Sequence, residues 1–260
     1  MTVNDLLLRS DEDGIATLTL NRPAQRNALS VALMEAMVAE LDRIRADAGV
    51  RVVIVTGAGP SFCSGHDLKE LRGDPSRAFY EKVFGLCAEM MERILTLPQP
   101  VIASVQGIAT AAGCQLVATC DLAVAAEESH FATPGVNIGL FCSTPMVALS
   151  RVVPRKQAME MLLTGDLVDA QTALKMGLVN RLAPTAQVME ETLALATEIV
   201  AKSPLTLKIG KEAFYRQAEM GVSDAYKYAS KVMAENMMAM DAAEGIDAFL
   251  QKRKPEWKGC

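Results

Sequence analysis

The chain predicts an α/β fold with a helical C-terminal region, and three observations carry that prediction. Short runs of apolar and β-branched residues, at 52–55, 101–105 and 122–126, alternate with segments of helical spacing as far as about residue 140. From about Pro145 the apolar residues recur at intervals of three and four, ending in a helical tail over the last quarter of the chain. Of the 260 residues 50% are hydrophobic and 22% charged, which supplies a sizeable core. The pattern divides into a core domain over 1–200 and a helical region over 201–260.

Each element follows from its own residues. Residues 6–8 and 15–20 are apolar runs on either side of Asp11-Glu-Asp-Gly14, which reads as an antiparallel hairpin with a polar turn. Ser30 caps a helix whose buried face is Leu33, Met34, Met37, Val38, Leu41 and Ile44. The run 52–55 is a buried strand ended by Thr56-Gly-Ala-Gly-Pro60. Phe79, Val83, Leu86, Met90, Ile94 and Leu97 mark a long helix that Pro98 and Pro100 stop. Strands at 101–105 and 122–126 bracket a small-residue segment, and 131–139 reads as a loop. Short helices follow at 156–163 and 170–176, with a strand at 178–182. Helical patterns at 186–202, 204–220, 223–240 and 242–252 complete the chain, Pro204 suiting a first helical turn. Met233, Met237, Met238 and Met240 fall close together, and core packing is expected of them in preference to a substrate surface.

Composition excludes several functions. A net charge of −5 argues against a nucleic-acid surface. No apolar run approaches the ~18 residues of a membrane span, so no membrane association is expected. Met1-Thr-Val-Asn-Asp5 has neither the basic nor the apolar region of a leader, which points to a cytoplasmic protein. The six cysteines, Cys63, Cys87, Cys114, Cys120, Cys142 and Cys260, are irregularly spaced and form no Cys-x-x-Cys pair. They read as reduced, mostly buried thiols. With only His66 and His130 as histidines, no metal site is expected.

Chemistry concentrates between Pro100 and Asp121. The strand 101–105 breaks at Gly107, small residues follow from Ala109 to Gly113, and an apolar helical segment comes next. Small residues let a ligand approach the backbone. The first amides of a helix lack internal partners and carry partial positive charge, so such a turn can hold developing negative charge. The same pattern also serves close helix–strand packing without any ligand. A second stretch, Val52-Val-Ile-Val-Thr-Gly-Ala-Gly59, has the strand and Gly-x-Gly of a dinucleotide-binding fold. Pro60-Ser-Phe62 then supplies no third glycine, and that reading fails.

Gly59-Pro-Ser-Phe-Cys-Ser-Gly-His-Asp-Leu68 resembles the first signature of the crotonase (enoyl-CoA hydratase/isomerase) superfamily. The segment from Pro100 to Asp121 resembles its second, and Leu20-Asn-Arg-Pro-Ala-Gln-Arg-Asn-Ala-Leu29 its coenzyme A segment. Leu163-Thr-Gly-Asp166, Ala170 with Gly177-Leu-Val179, and Glu244 to Lys254 follow the family's later landmarks in order. The resemblance covers nearly the whole chain. It implies a crotonase-like spiral of β-β-α turns with a C-terminal helical trimerisation region. It also implies a homotrimer, with pairing of trimers into a hexamer left open, and a cleft for an acyl thioester. Coenzyme A would enter as part of that acyl-CoA ligand, with no tightly bound cofactor and no metal.

The resemblance also assigns residues. The backbone amides of His66 and Ala112 would hold the thioester oxygen, Ala111 and Ala112 standing where glycines are common. Fixed donors at a developing enolate are worth about 2.7–4 kcal/mol each. Arg22 would lie near the nucleotide of coenzyme A, and Ala24, Ala28 and Leu29 along its path. Ser64, Gly65 and Leu68 belong to the same contact set, with Asp67 organising the turn. Phe249 and Lys252 would cover the coenzyme, in this copy or a neighbour. Asp121 reads as a structural carboxylate.

The family's acid–base side chains are missing. Gln115 and Gly135 occupy the positions of the two glutamates of a hydratase, and Ser143 and Asn137 those of acids used by other members. Glutamine orients water but takes no proton near neutral pH. Each lost acid or base is worth about 10²–10⁴ in rate, so hydration is expected weak or absent. His66 is the remaining titratable candidate, with Cys142 and Glu89 nearby in the pattern. Three readings stay open: a different oxyanion-hole reaction such as acyl-CoA decarboxylation or thioester hydrolysis, a non-catalytic acyl-CoA binder or regulator, and a hydratase that places water with Gln115.

Overall fold

The computed structural model describes residues 6–260, so the 1–5 segment on which the leader expectation rests lies outside the described residues. The chain begins with a hairpin. β1 (Leu7–Glu12) pairs antiparallel with β2 (Ile15–Leu20), in register from Leu7 opposite Leu20 to Glu12 opposite Ile15. Asp11 and Glu12 therefore belong to β1 and not to the turn. Only Asp13 and Gly14 lie between the strands, both at positive φ (48° and 79°), the geometry that matches strand twist in a two-residue hairpin.

From β2 the chain winds through repeated turns. Ser30 accepts from Leu33 N and caps α1 (Val31–Ala46) as its sequence requires. β3 (Val52–Gly57) is buried along its whole length. The short α2 (Leu68–Gly73) and the long α3 (Arg77–Thr96) follow, the latter ending before Pro98. Then come β4 (Val101–Val105), β5 (Ile108–Thr110), α4 (Ala112–Thr119), β6 (Leu122–Ala126) and β7 (His130–Ala132). The remaining elements are α5 (Pro145–Val152), α6 (Arg155–Thr164), β8 (Val168–Asp169), α7 (Ala170–Met176), β9 (Arg181–Ala183) and α8 (Val188–Val200). Three helices close the chain: α9 (Pro204–Ala218), α10 (Val222–Met237) and α11 (Met240–Gln251).

Two sheets result. The larger runs β1-β2-β3-β4-β6-β9, parallel after its first pair. The smaller is β5-β7-β8. Parallel bridges from Leu29 to His66 and from Cys63 to Ala109 extend that second layer backwards along the chain. Each turn thus lays one strand in the large sheet, a shorter extended piece in the second layer, and then a helix, which is the β-β-α spiral of the crotonase fold. One face of the large sheet (Leu18, Val53, Val55, Ala103) packs against α1, α3 and α4. Ile15, Val52, Ile54, Ile102 and Val124 on the other face are covered by α8 through Val188, Leu195 and Ala196.

The structure corrects several expectations. The small-residue segment is not one turn, because Ile108–Thr110 is a strand of the second sheet. Residues 131–139 hold the end of β7 and a 3₁₀ turn, Pro134–Ile138. The strand expected at 178–182 is β9, starting only at Arg181: Gly177 caps α7 at φ 80°, and Leu178 and Val179 are buried in the connection. The methionines do not pack in the core. α10 buries no residue, and Met233, Met237, Met238 and Met240 are all exposed, Met238 at 86%.

α9 is tied to the core by a buried charge. Lys211 Nζ donates to Asp121 Oδ2 (2.6 Å), Ile94 O (2.9 Å) and Gln99 O (3.0 Å). Asp121 also accepts from Tyr215 Oη and Val101 N (2.8 and 2.7 Å). Asp121 is therefore structural, joining α9 to the ends of α3 and α4 and the start of β4. Truncating one partner of a buried pair strands the other charge, at about 3–5 kcal/mol. Urea unfolding of Lys211→Met should show a loss of that order, partly recovered when Asp121→Asn is added. A loss under about 1 kcal/mol would contradict this role.

Candidate functional site

The site forms where the segment 61–66 meets β5 and the start of α4. Cys63 N donates to Ile108 O (3.1 Å) and Thr110 N to Cys63 O (2.9 Å), so the two stretches pair as strands. A Cβ on Gly113 would stand 2.1 Å from Cys63 O, so only glycine permits this approach. Two residues then leave the ladder at positive φ: Gly65 at 94° and Ala111 at 51°. With ψ at −119°, Ala111 holds a conformation natural to glycine, and such strain costs on the order of 1–3 kcal/mol. The turn does need positive φ, and alanine adopts it there.

The next residues are His66 and Ala112, and neither backbone amide donates to an acceptor among the described residues. Gly65 brings them together, since a Cβ there would lie 3.3 Å from Ala112 N. Ala112 opens α4, so its amide also carries the partial positive charge of a helix N-terminus. The arrangement is a pair of fixed donors suited to a polarised carbonyl oxygen.

Gln115 lies one turn into α4, 5% exposed, with Oε1 4.0 Å from Cys87 Sγ of α3. The His66 ring packs edge-on against Phe84 of α3 at 5.3 Å and 87°. Burial drives the His66 pKa down to about 4, so the imidazole is neutral near pH 7. Gly135 has no room for a side chain: a Cβ there would meet Leu140 O at 2.6 Å and Cys142 Sγ at 2.8 Å. Cys142 fills the space a side chain at 135 would occupy. Burial pushes its thiol up, and pushes Cys63, Cys87 and Cys114 up to about 12, so none is a ready thiolate.

The other expected residues divide. Arg22 Nη2 bonds Asp67 Oδ2 (2.8 Å) and Nη1 bonds Ala28 O, pinning the 22–28 loop to the site segment. Asp67 also caps α2 through the amides of Lys69 and Glu70. Burial raises the Asp67 pKa, but the Arg22 and amide hydrogen bonds outweigh it and hold the carboxyl below its usual range. Leu29 is buried and exchanges backbone bonds with Gly65 and Asp67, and Ser64 N donates to Arg26 O. Ala24 is exposed in the 3₁₀ turn Pro23–Gln25, and Leu68 is exposed beside the site segment. Ser143 is exposed and its hydroxyl bonds Phe141 O (3.3 Å); Asn137 is exposed as well. Glu89 is bound to Arg93. Phe249 and Lys252 stand exposed at the end of α11, which packs on α9 and α10. Sequence reasoning did not foresee Thr133, fully buried just before the 134–138 turn with an unbonded Oγ1. Nothing in the local pattern signals it. Among the described residues no three His, Cys, Asp or Glu are grouped to hold a metal, and no helix is long and apolar enough to cross a membrane.

Comparison with known proteins identifies the family. Residues 10–260 match the family described as enoyl-CoA hydratase/isomerase. The human mitochondrial enoyl-CoA hydratase domain-containing protein 3 is 48% identical over 245 residues, covering 94% of this chain and 81% of that protein. The 2,3-dehydroadipyl-CoA hydratase of Escherichia coli is 34% identical over 254 residues, covering 97% and 98%. Among solved structures, an enoyl-CoA hydratase of Mycobacterium smegmatis superposes with a TM-score of 0.95 at 52% identity, covering 97% and 98%. The human enoyl-CoA hydratase domain-containing protein 3 superposes at 0.94 and 46%, covering 97% and 100%. The sequence taken as a whole resembles the enoyl-CoA hydratase domain-containing protein 3 branch of this family, in agreement with these matches.

The His66 environment makes a pH prediction. Its folded pKa lies below its unfolded value of 6.5, so between about 4 and 6.5 the unfolded chain binds the extra proton. Its contribution is present above pH 6.5 and lost as pH falls through that window, with a slope of about 1.4 kcal/mol per pH unit. Denaturant unfolding at pH 7 and pH 5 should show a smaller acid loss in His66→Phe than in the wild type. Equal losses would place the ring in solvent.

Proposed function

The chain belongs to the enoyl-CoA hydratase/isomerase family, and from that premise we propose that it binds acyl thioesters of coenzyme A through the amides of His66 and Ala112 while hydrating enoyl thioesters weakly or not at all. The observation that carries this reading is the pair of unbonded amides beside a glutamine. The donors are intact and the carboxylates that would move protons are not there. The carboxylates close by in the chain are engaged elsewhere, Asp67 with Arg22 and Glu70 with Val31 N. Gln115 can orient a water or a substituent, but it cannot act as a base.

Among other reactions, loss of carbon dioxide from a carboxyacyl thioester suits this site better than hydrolysis. Decarboxylation generates the enolate without a general base, and two fixed donors stabilise it. A binder without turnover uses the same amides. Arg22, Ala24, Ala28, Leu29, Ser64, Gly65 and Leu68 form the proposed path of the coenzyme, with Phe249 and Lys252 as its cover. Because Arg22 is held by Asp67, its part is to shape the 22–28 loop as much as to meet phosphate. We propose the core as 1–200 and the oligomer-forming region as 201–260, a homotrimer fitting the apolar side chains that α10 leaves exposed. The buried, unpaired thiols suit a reducing compartment such as the cytoplasm. The relatives named above as mitochondrial carry that location themselves.

Crotonyl-CoA hydration tests the reading. Wild-type turnover should fall at least about 100-fold below a typical ~10 s⁻¹, and Gln115→Glu should raise it about 10-fold or more by restoring one carboxylate. Gly135→Glu is not a clean partner, because its Cβ meets Leu140 O. Wild-type turnover near ~10 s⁻¹ would overturn the proposal.

A further inference from the structure

We propose that the methyl group of Ala111 is a spacer that sets the gap between the amides of His66 and Ala112, and that the strained backbone at this residue accompanies that role. This rests on the acyl-thioester reading above. It names Ala111 as a positioning residue, which acts on a bound carbonyl only through the two donors.

The strain at Ala111 is unlike that at other residues of positive φ. Arg26 (φ 49°, ψ 38°) and Lys252 (φ 54°, ψ 40°) take the ordinary left-handed conformation that helix ends tolerate. Ala111, at φ 51° and ψ −119°, lies in a region dominated by glycine. Its hydrogen bonds do not call for a side chain. Ala111 N donates to Ala132 O (2.9 Å) and Ala111 O accepts from Gln115 N (3.0 Å), and glycine would keep both. Glycine would also adopt the conformation without strain, so the β-carbon is the feature to be explained.

That β-carbon has a specific place. A Cβ built on Gly65 would stand 2.8 Å from Ala111 Cβ and 3.3 Å from Ala112 N. The Ala111 methyl therefore faces Gly65, and the space between them admits one β-carbon and not two. The N–H of His66 hangs on the carbonyl carbon of Gly65, and that of Ala112 on the carbonyl carbon of Ala111. The methyl thus separates the two α-carbons from which the donor peptides start.

No other tie fixes this gap. Up to Thr110 the two segments are joined by hydrogen bonds, Thr110 N to Cys63 O (2.9 Å) and Thr110 Oγ1 to Ser64 O (3.2 Å). Beyond it no backbone hydrogen bond joins 65–66 to 111–112 among the described residues. Two donors grip one oxygen only when both lie about 2.7–3.1 Å from it. With glycine at both 65 and 111, the two turns would be free to approach or slip, and one donor would lose its alignment.

The test is Ala111→Gly beside Ala111→Ser, which retains a β-carbon. Urea unfolding of Ala111→Gly should have a midpoint no lower than wild type, because alanine at positive φ is the less stable choice. In calorimetry the same variant should bind butyryl-CoA at least about threefold more weakly, the loss expected of one misaligned hydrogen bond. Labelled with ¹³C at the thioester carbonyl, the bound ligand should give a resonance well downfield of free ligand in wild type and in Ala111→Ser, and closer to free ligand in Ala111→Gly. A carbonyl resonance in Ala111→Gly equal to wild type overturns the inference, whatever the affinity. So does a lower unfolding midpoint in that variant, which would make the methyl a packing group, or a loss in Ala111→Ser as large as in Ala111→Gly. Each of these results leaves the proposed function standing, whereas no binding of butyryl-CoA by wild type sinks both.

Discussion

Everything at the site depends on how closely α4 and β5 lie against the segment 61–66. The approach is set by backbone atoms. A Cβ at Gly113 would stand 2.1 Å from Cys63 O, and one at Gly107 2.0 Å from Pro60 O. With both positions open, Cys63 and Thr110 complete their strand pairing, and the residues after them turn out of the ladder. The amides of His66 and Ala112 are freed by that departure. A methyl group at either glycine would separate the two halves before any ligand arrived.

On the proposed reading, this origin is what lets binding and chemistry separate in the chain. Amide donors belong to the backbone and persist whatever side chains surround them, provided the turn keeps its shape. Ala111 shows the turn is held even against preference, because its surroundings impose φ 51° on a residue with a Cβ. Proton transfer belongs to side chains and can be lost one residue at a time. At 135 there is no room for a side chain, since Cys142 Sγ and Leu140 O fill the space one would need. The neutral His66, the neutral Gln115 and the protonated thiols leave a site rich in hydrogen-bonding atoms and poor in charge.

Much of this was legible in the sequence, for identifiable reasons. Elements with long periodic patterns, such as α1 with its Ser30 cap and α3 with its proline stop, carry their own signal. β5, β7 and β8 do not, being two or three residues long and existing only because distant partners pair with them. The donor pair was legible through the signature around Gly65 and the small residues before α4. The Arg22–Asp67 pair, 45 residues apart, and the direction of the His66 ring are tertiary facts that no local pattern encodes. The exposed methionines misled for a related reason, since spacing reveals an apolar face and not what covers it.

The central claim is that two backbone amides grip a thioester carbonyl. Difference infrared spectroscopy of butyryl-CoA labelled with ¹³C at the thioester carbonyl measures that grip directly. Two donors polarise the C=O bond, so the account predicts that the bound carbonyl stretch moves to lower frequency than in free solution. Saturating binding with the stretch left at its free position would contradict it.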